Sequence, residues 1–295
     1  MAVMDLLQAI AEDLASATGR QARCQMLGAV GGGCINRAMR VSHGDNRYFV
    51  KLNSGERLDM FAAEAQGLLE LRRAEALYAP EPVCWGRGGK AAWLVLEDLE
   101  LGGPPRPSRL GEGLAALHRV TQPRFGWRLD NTIGSTAQKN TEQEDWLDFW
   151  REQRLGYQLE LATVNGAGER LASRGQELLE SFPKLFAEYR PEASLLHGDL
   201  WSGNYAYLGD GQPVIYDPAV YYGDREAELA MTELFGGFPH EFYAAYEAAW
   251  PLDAGYRVRR TLYQLYHVLN HFNLFGGAYL NQALSLTDGL LAELR

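Results

Sequence analysis

Ten residues, 195–204, with the sequence LLHGDLWSGN, constrain the fold of this chain more than any other segment. They place a carboxylate, Asp199, five positions before a carboxamide, Asn204, directly after a short apolar run and a His-Gly pair. Phosphoryl transfer to a hydroxyl needs an Asp that orients and deprotonates the hydroxyl, and a nearby Asn that can hold Mg²⁺. Because Asp and Asn are also common turn formers, this spacing alone is weak evidence.

A second carboxylate strengthens the case. Asp217 ends another apolar run, in the sequence VIYDPA. Two acidic strand ends that are separated by one hairpin can converge on a single metal ion, as they do in kinases. Together with Asp199 and Asn204, Asp217 therefore predicts phosphotransferase chemistry.

The first hundred residues indicate a phosphate-binding unit. Two predicted strands meet at the glycines 31–33, and backbone N–H groups at a hairpin tip without side chains can close over phosphates. Lys51 ends the alternating run YFVKL, the strand position from which a kinase lysine reaches the phosphates. Glu64, on the helix predicted from residue 58, is the expected ion-pair partner of Lys51. The glycine triplet alone could equally be a flexible turn.

A lobe boundary is predicted after residue 98. The apolar run WLVLEDLEL, residues 93–101, breaks at the sequence GGPP, and the backbone of residues 96–99 is expected to line an adenine site. Beyond this point the hydrophobic pattern becomes helical, apart from residues 121–141, which have no periodicity. His118 is expected to be a packed, hydrogen-bonded histidine.

Composition narrows the class of protein. The 295 residues suit two lobes or one large domain, and the net charge of −10 argues against a nucleic-acid partner. Three widely spaced cysteines without a CxxC pair fit a reducing cytosol. No run approaches the ~18 apolar residues of a membrane span, and the N-terminus predicts an amphipathic helix. We therefore expect a cytoplasmic protein that binds neither nucleic acid nor membrane.

The motifs resemble those of the fructosamine kinase (ketosamine-3-kinase) family. HGDLWSGN, IYDPAVYYGDREAELAM, FGWRLDNTIGSTAQKN and LYQLYHVLNHFNLFGG carry the resemblance across almost the whole chain. It implies an α+β, two-lobed protein-kinase-like fold, shared with aminoglycoside and choline phosphotransferases. The small β-rich N-lobe would span residues 1–98 and the larger, mainly helical C-lobe residues 99–295. Glu228 and Asp98 depart from the family pattern, and neither is expected to touch the catalytic residues.

The resemblance also implies an activity. A member of this family uses ATP and Mg²⁺ to phosphorylate the 3-hydroxyl of a ketosamine, such as a fructosamine, ribulosamine or erythrulosamine adduct of an amine. The unstable product then eliminates and frees the amine, so the outcome is deglycation. The substrates would be small-molecule ketosamines or glycated proteins.

Residue roles follow from the same resemblance. Asp199 would be the catalytic base, and Asn204 and Asp217 would hold Mg²⁺. His197 and Asp224 would brace the catalytic loop. The nucleotide would bind at Gly31, Gly32, Gly33, Cys34, Lys51, Glu64, Leu96, Glu97, Asp98 and Leu99. Candidates for the sugar and amine side are Trp201, Asn131, Ser135 and Gln138.

Three other functions remain open. A related aminoglycoside or choline-type phosphotransferase would use the same catalytic residues and differ only in its acceptor pocket. A nucleotide-binding pseudokinase scaffold is disfavoured by the intact set of Lys51, Asp199, Asn204 and Asp217. A protein kinase is disfavoured because no Ala-Pro-Glu segment follows Asp217.

Cys34 is predicted to be a redox-sensitive residue. A phosphate loop that opens for nucleotide exposes its thiol, and nearby N–H groups and Lys51 favour the thiolate. We expect mild peroxide to oxidise Cys34, which would either block the loop or join two chains through a disulfide bond. The expected state is therefore a monomer or a redox-linked homodimer. Activity and non-reducing electrophoresis, with and without later thiol, test this in wild type and Cys34→Ala. Equal loss of activity in the variant would contradict it.

Overall fold

The computed structural model describes residues 3–31 and 35–295. The chain forms two compact units, which we name the sheet unit (Met1–Arg106 with Ala206–Pro218) and the helical unit (Pro107–Tyr205 with Ala219–Arg295). Gly32, Gly33 and Cys34, all predicted to belong to the phosphate loop, lie outside the described residues. Gly31 is the one predicted loop residue that is described.

The first 106 residues form a single antiparallel sheet of five strands and two α-helices. Their elements are α1 (Val3–Thr18), β1 (Cys24–Val30), β2 (Arg37–His43), β3 (Asn46–Ser54), α2 (Leu58–Arg73), β4 (Pro82–Gly88) and β5 (Ala91–Glu97). The five strands lie in the order β1-β2-β3-β5-β4, and all neighbouring pairs are antiparallel. The helix predicted from residue 58 is therefore present as α2.

The core of the sheet unit lies between α1 and the sheet. Ile10 and Leu14 come from one face of the helix and pack against buried residues of the strands, among them Val50 and Trp93. The indole Nε1 of Trp93 donates a hydrogen bond to Asp13 at 2.9 Å, which satisfies the buried ring nitrogen. The N-terminal amphipathic helix predicted from the sequence is present, and its apolar stripe explains why it docks there.

Cys24 and Cys84 lie in β1 and β4 as free thiols. Burial raises the pKa of Cys24 to about 11 and, with smaller contributions from Asp13 and Cys24, that of Cys84 to about 12. Both therefore stay protonated near neutral pH, as expected for structural cysteines.

The later part of the chain is mainly helical. Its elements are α3 (Pro107–His118), β6 (Thr121–Gln122), β7 (Asn131–Ile133), β8 (Thr136–Gln138), α4 (Trp146–Phe149), α5 (Gly156–Val164), α6 (Gly168–Ser181), β9 (Ala193–Leu196), β10 (Tyr205–Tyr207), β11 (Pro213–Ile215), β12 (Tyr221–Gly223), α7 (Arg225–Leu234), α8 (His240–Ala249), α9 (Tyr256–Phe275) and α10 (Tyr279–Glu293). A π-helix, Trp150–Leu155, joins α4 to α5. In the described part of the chain, no helix is long and apolar enough to cross a membrane.

The hairpin β10–β11 packs with the sheet unit. The N–H groups of Gly102 and Gly103 both bond to the carbonyl of Tyr207 at 3.0 Å, and the N–H of Ile215 bonds to the carbonyl of Tyr78 at 2.9 Å. A Cβ on Gly103 would overlap the carbonyl of Leu208, so only glycine allows this close approach. The predicted division places one boundary after residue 98, whereas the sheet unit also includes Ala206–Pro218. Backbone bonds between segments a hundred residues apart account for this addition.

The helical unit packs α3 against α8 and α9 against both α7 and α10. A three-stranded antiparallel sheet, β12-β9-β6, lies beside these helices and carries the segment after β9 that contains Asp199. Aromatic rings fill the centre: Trp150 meets Tyr263 edge-on, with their centroids 4.8 Å apart. The non-periodic stretch 121–141 contains only the short strands β6, β7 and β8.

His267 on α9 makes stability depend on acidity. It is 4% exposed, its Nδ1 has no partner in the described part of the chain, and burial lowers its pKa to about 3. The unfolded chain takes up a proton near pH 6.5 and the folded one does not, so stability falls as the pH drops below 6.5. The expected loss is about 1.4 kcal/mol per pH unit, or roughly 2–3 kcal/mol at pH 4.5.

Urea unfolding of wild type and His267→Leu at pH 7 and pH 4.5 measures this effect. The variant should lose less stability over that interval by the amount given above, and a change at the exposed His240 should leave the wild-type difference intact. Parallel losses in wild type and His267→Leu would show that this histidine is not responsible.

Candidate active site

Lys51 lies between two carboxylates in the sheet unit. It comes from β3, Glu64 from α2, and Asp217 directly follows the hairpin strand β11. The Nζ of Lys51 donates to Glu64 Oε1 and to Asp217 Oδ1, the latter at 2.5 Å. Side chains alternate between the two faces of β3, yet Val50 and Lys51, which are neighbours, are both buried. The contacts of Lys51 confirm the predicted pair with Glu64 and add Asp217 as a second partner.

The electrostatics of this cluster favour the charged form of Lys51 and oppose ionisation of Glu64. Burial alone would lower the pKa of Lys51, but Asp217 and Glu64 outweigh it and raise that pKa above its ordinary value. Burial also raises the pKa of Glu64, opposed by Lys51 and reinforced by Asp217. One cation is thus shared by two carboxylates, an arrangement that leaves excess negative charge for a metal ion to offset.

Asp217 has an uncommon backbone conformation. Its φ is +60°, in the left-handed region that non-glycine residues rarely occupy, and the next residue is Pro218, which normally holds its predecessor extended. Such a conformation costs on the order of 1–3 kcal/mol and persists only where the surroundings hold it. The side chain is 48% exposed, so one oxygen can contact Lys51 while the carboxylate remains accessible to a ligand.

The side chains of the predicted adenine segment are paired within the sheet unit. Leu96 is buried in β5, and Glu97 accepts a hydrogen bond from the hydroxyl of Tyr78 at 2.7 Å. Asp98 bonds to Arg40 at 2.7 Å and pairs with Arg47 at 3.0 Å. Since these side chains have protein partners, the prediction for residues 96–99 concerns their backbone groups.

Asp199 and Asn204 come together in the helical unit. The loop after β9 turns back so that the N–H of Asn204 bonds to the carbonyl of Trp201 at 2.9 Å. The amide nitrogen of Asn204 donates to the Asp199 carbonyl at 2.8 Å and lies 3.5 Å from the Asp199 carboxylate. With its nitrogen turned to Asp199, Asn204 presents its oxygen on the other side, and oxygen is the donor that Mg²⁺ prefers.

Glu228 binds the backbone of this loop through two hydrogen bonds. Its two carboxylate oxygens accept the N–H groups of His197 at 3.0 Å and Gly198 at 2.7 Å. His118 lies 3.0 Å from the same carboxylate through Nε2, and its Nδ1 lies 2.8 Å from the hydroxyl of Tyr246. Burial opposes ionisation of Glu228, but the bonds from His118 and the backbone outweigh it and lower its pKa.

Glu228 binds the backbone beside the predicted catalytic residues. Its carboxylate accepts the N–H groups of the two residues immediately before Asp199, a contact that the sequence does not predict. Asp224, which was expected to brace the loop, caps the N-terminus of α7 by accepting the N–H of Glu226 and also accepts the hydroxyls of Tyr189 and Tyr263. Asp224 thus supports the helix that carries Glu228.

Gly198 is required by the geometry of the loop. Its φ is +87°, and a Cβ would overlap the carbonyl of Ala219. The N–H of Ala219 bonds to the carbonyl of His197 at 2.8 Å, so the two segments run in close contact. The glycine of the His-Gly-Asp sequence is therefore explained by this approach.

The predicted acceptor-side residues have different environments. Gln138 is 2% exposed; it accepts the hydroxyl of Tyr266 and donates to Asn131 and to the carbonyl of Ala219. Asn131 donates to the carbonyl of Val220 at 2.8 Å. Ser135 is half-buried in the turn between β7 and β8, and Trp201 is 39% exposed. Asn131 and Gln138 thus hold the backbone of 219–220, while Trp201 offers an accessible ring face.

Comparisons with known proteins agree along almost the whole chain. The family model for fructosamine kinase matches residues 6–293. A probable ketoamine kinase of Synechocystis sp. is 47% identical over 282 residues, covering 94% of each chain. A chloroplastic protein-ribulosamine 3-kinase of Arabidopsis thaliana is 41% identical over 283 residues, covering 94% of this chain and 86% of its own.

Solved structures give the same result for the fold. The crystal structure of a candidate fructosamine-3-kinase from Haemophilus somnus superposes with a TM-score of 0.86 at 27% identity, covering 96% of both chains. An aminoglycoside phosphotransferase, at 17% identity and a TM-score of 0.59, shares the fold alone. The predicted α+β, protein-kinase-like fold is confirmed. The protein is a kinase, and it belongs to the fructosamine kinase family.

Proposed function

We propose that this kinase transfers the γ-phosphoryl group of ATP to the 3-hydroxyl of ketosamines. The observation that carries the proposal is the loop after β9, in which Asn204 binds Asp199 and Glu228 fixes the backbone just before it. A general base must be held in a reproducible position if it is to orient a hydroxyl. The choice of ketosamine as acceptor is supported by the family and by the names of its relatives.

Each charged residue has a part in this reaction. Asp199 would accept the proton of the 3-hydroxyl. The oxygen of that hydroxyl would bond to the γ-phosphorus as the bond from phosphorus to the leaving ADP breaks. Lys51, steadied by Glu64, would bind the nucleotide phosphates. The predicted glycines 31–33 and Cys34 would cover them, and the backbone of residues 96–99 would hold the adenine.

The oxygen donors of Asn204 and Asp217 suit a hard cation. The Asn204 oxygen faces away from Asp199, and the half-exposed Asp217 carboxylate is only partly engaged by Lys51. Mg²⁺ bound there would offset negative charge on the transferring phosphoryl group. The excess of carboxylates over cations around Lys51 is consistent with that role.

The acceptor should be uncharged at its sugar. A phosphorylated sugar would bring a dianion towards Asp199 and Asp217, whereas an amine adduct with a short sugar brings a cation and hydroxyls. The exposed ring of Trp201 can pack on the C–H face of a sugar or on a cationic amine. After phosphorylation, loss of phosphate from C3, beside the C2 carbonyl, followed by hydrolysis would release the amine.

Cytoplasmic location stays a prediction.

A panel of acceptors tests this proposal. ADP release is measured with Mg·ATP and ribulose-, erythrulose- and fructose-amine adducts, with aminoglycosides and choline as competing classes. We expect turnover with ketosamines and little with the 3-deoxy analogue or phosphorylated sugars. A clear preference for aminoglycosides or choline over every ketosamine would reject the acceptor, and ADP release that no acceptor increases would revive the scaffold hypothesis.

A further inference from the structure

A fully buried arginine in the helical unit has no carboxylate partner. Arg154 lies in the π-helix that joins α4 to α5, and π-helices are uncommon and frequent at functional sites. Within the described residues it forms no salt bridge, whereas the comparably buried Arg259 binds the carboxylates of Glu226 and Asp253. A buried cation without an anionic partner is costly, so other contacts must compensate for its burial.

Oxygen atoms and aromatic rings take the place of the missing carboxylate. The Nη1 of Arg154 donates to the carbonyl of Lys139 at 2.6 Å, and its Nη2 donates to Oδ1 of Asn140 at 2.7 Å. Its guanidinium carbon lies 4.0 Å from the ring centroid of Tyr221 and 4.6 Å from that of Phe149. A guanidinium suits this site because its planar fork bonds to two oxygens while its face stacks on a ring.

Side-chain amides form one connection between Arg154 and the loop after β9. A guanidinium has no acceptor, so Asn140 must turn its oxygen to Arg154 and its nitrogen away. That nitrogen donates to Oδ1 of Asn131 at 3.0 Å, and Asn131 donates to the carbonyl of Val220 at 2.8 Å. The residue before Val220 donates its N–H to the carbonyl of His197 at 2.8 Å. The orientation of one amide thus links Arg154 to the start of the loop.

The strand β12 forms a second connection. Tyr221, whose ring lies against the guanidinium, pairs with Leu196 in the antiparallel strands β12 and β9. Leu196 is the last residue of β9, and Asp199 follows three positions later. A displaced Tyr221 would therefore disturb the strand pair where the loop begins.

We propose that Arg154 is a positioning residue for the loop that carries Asp199. By fixing Asn140 and Tyr221, it holds residues 219–221, and these hold the backbone just before Asp199. Because its side chain is fully buried, it acts through these contacts and not by touching a reactant. This inference rests on the role given to Asp199 in the proposed function.

Two substitutions of Arg154 test the proposal. Arg154→Lys keeps the charge but loses the planar fork and the stacking on Tyr221. Arg154→Met removes the charge with a side chain of similar length, a change that can leave stability nearly unchanged. With the ribulose adduct of Nα-acetyl-lysine, both variants should lower kcat by about 10–10²-fold, since the base is held less reproducibly. The KM for Mg·ATP should stay unchanged, because the phosphates are assigned to other residues.

Arg259 provides the matched control. It is 2% exposed, and its guanidinium carbon lies 3.9 Å from the ring centroid of Tyr189, so its burial and stacking resemble those of Arg154. Its carboxylate partners, however, are not bonded to the loop. Arg259→Lys should therefore lose stability and keep its kcat, measured well below its melting temperature.

Hydrogen exchange followed by mass spectrometry measures the loop without any acceptor. In Arg154→Lys, the amides of residues 195–204 and 219–223 should exchange about three- to tenfold faster than in wild type, the range for one lost hydrogen bond. In Arg259→Lys, these amides should exchange at the wild-type rate.

The outcomes separate this proposal from the proposed function. Wild-type kcat in Arg154→Met, or equal exchange of the two segments in Arg154→Lys and Arg259→Lys, would overturn the positioning role alone. No turnover of any ketosamine by wild type would overturn the proposed function, and the exchange rates would still decide whether Arg154 holds the loop.

Discussion

Asp199→Asn should nearly abolish turnover while nucleotide binding stays close to normal. An amide of the same shape keeps the hydrogen-bonding position beside Asn204 but cannot accept the proton of the substrate hydroxyl. Loss of a general base lowers kcat by roughly 10²–10⁴-fold, or about 3–5 kcal/mol of barrier. The phosphates are assigned to Lys51 and its neighbours in the sheet unit, so the dissociation constant of Mg·ATP should change little.

Asp217→Asn should behave differently because it removes a proposed metal ligand and one of the two carboxylates that hold Lys51. We expect turnover to fall and the Mg²⁺-dependent part of nucleotide affinity to fall with it. The left-handed backbone at this position is compatible with asparagine, so the fold should survive the change.

Thermal shifts with Mg·ATP separate the two variants, since a ligand stabilises the fold according to its concentration over its dissociation constant. Asp199→Asn should keep the ATP-induced shift and Asp217→Asn should lose most of it. Asp210→Asn, in the exposed turn of the same hairpin, serves as control. Equal loss of the shift in both variants would contradict this division of roles.

The second large effect is expected at Glu228. Glu228→Gln removes the charge and one acceptor, so that His118 or one of the N–H groups of His197 and Gly198 is left buried without a partner. The expected loss of stability is about 2–4 kcal/mol, the range for a buried charge-assisted bond and an unsatisfied group. Because the loop backbone loses its support, kcat should also fall by about 10–10²-fold.

Glu226 provides a matched control on the same helix. It is equally buried, but its carboxylate binds the guanidinium of Arg259 at 2.7 and 2.9 Å, away from the loop. Glu226→Gln should lose stability and keep its kcat, whereas Glu228→Gln should lose both with an unchanged KM for ATP. Glu228→Asp, which keeps the charge, should recover part of the kcat. Comparable kcat values for the two Gln variants, measured well below their melting temperatures, would rule out a positioning role.

The sequence predicted the parts of the site that have a local signature. Asp199 and Asn204 are five residues apart in one turn, and Lys51 follows a strand pattern while Glu64 follows a helical one. Local periodicity also predicted α1, α2 and the helical character of the later chain. In each case the identifying pattern lies within one or two neighbouring elements, which is the range over which such patterns act.

What the sequence did not reveal depends on contacts between distant segments. Glu228 reaches His197 across 31 positions and His118 across 110, and on its own helix it resembles any other glutamate. The hairpin β10–β11 joins the sheet unit through backbone bonds that carry no side-chain pattern. Asn131 and Gln138 were both predicted to face the acceptor, and no local pattern indicates that their amides bind the backbone of residues 219 and 220.

The position of the new phosphate on the product shows whether Asp199 directs phosphoryl transfer to the 3-hydroxyl of a ketosamine. Wild type and Asp199→Asn are incubated with Mg·ATP and the ribulose adduct of Nα-acetyl-lysine, and the product is followed by phosphorus–proton correlation NMR. We expect a phosphorus signal coupled to the proton on C3 in wild type only, followed by inorganic phosphate and free amine as that signal decays. Phosphate on another hydroxyl, or ADP and inorganic phosphate without any phosphorylated ketosamine, would contradict it.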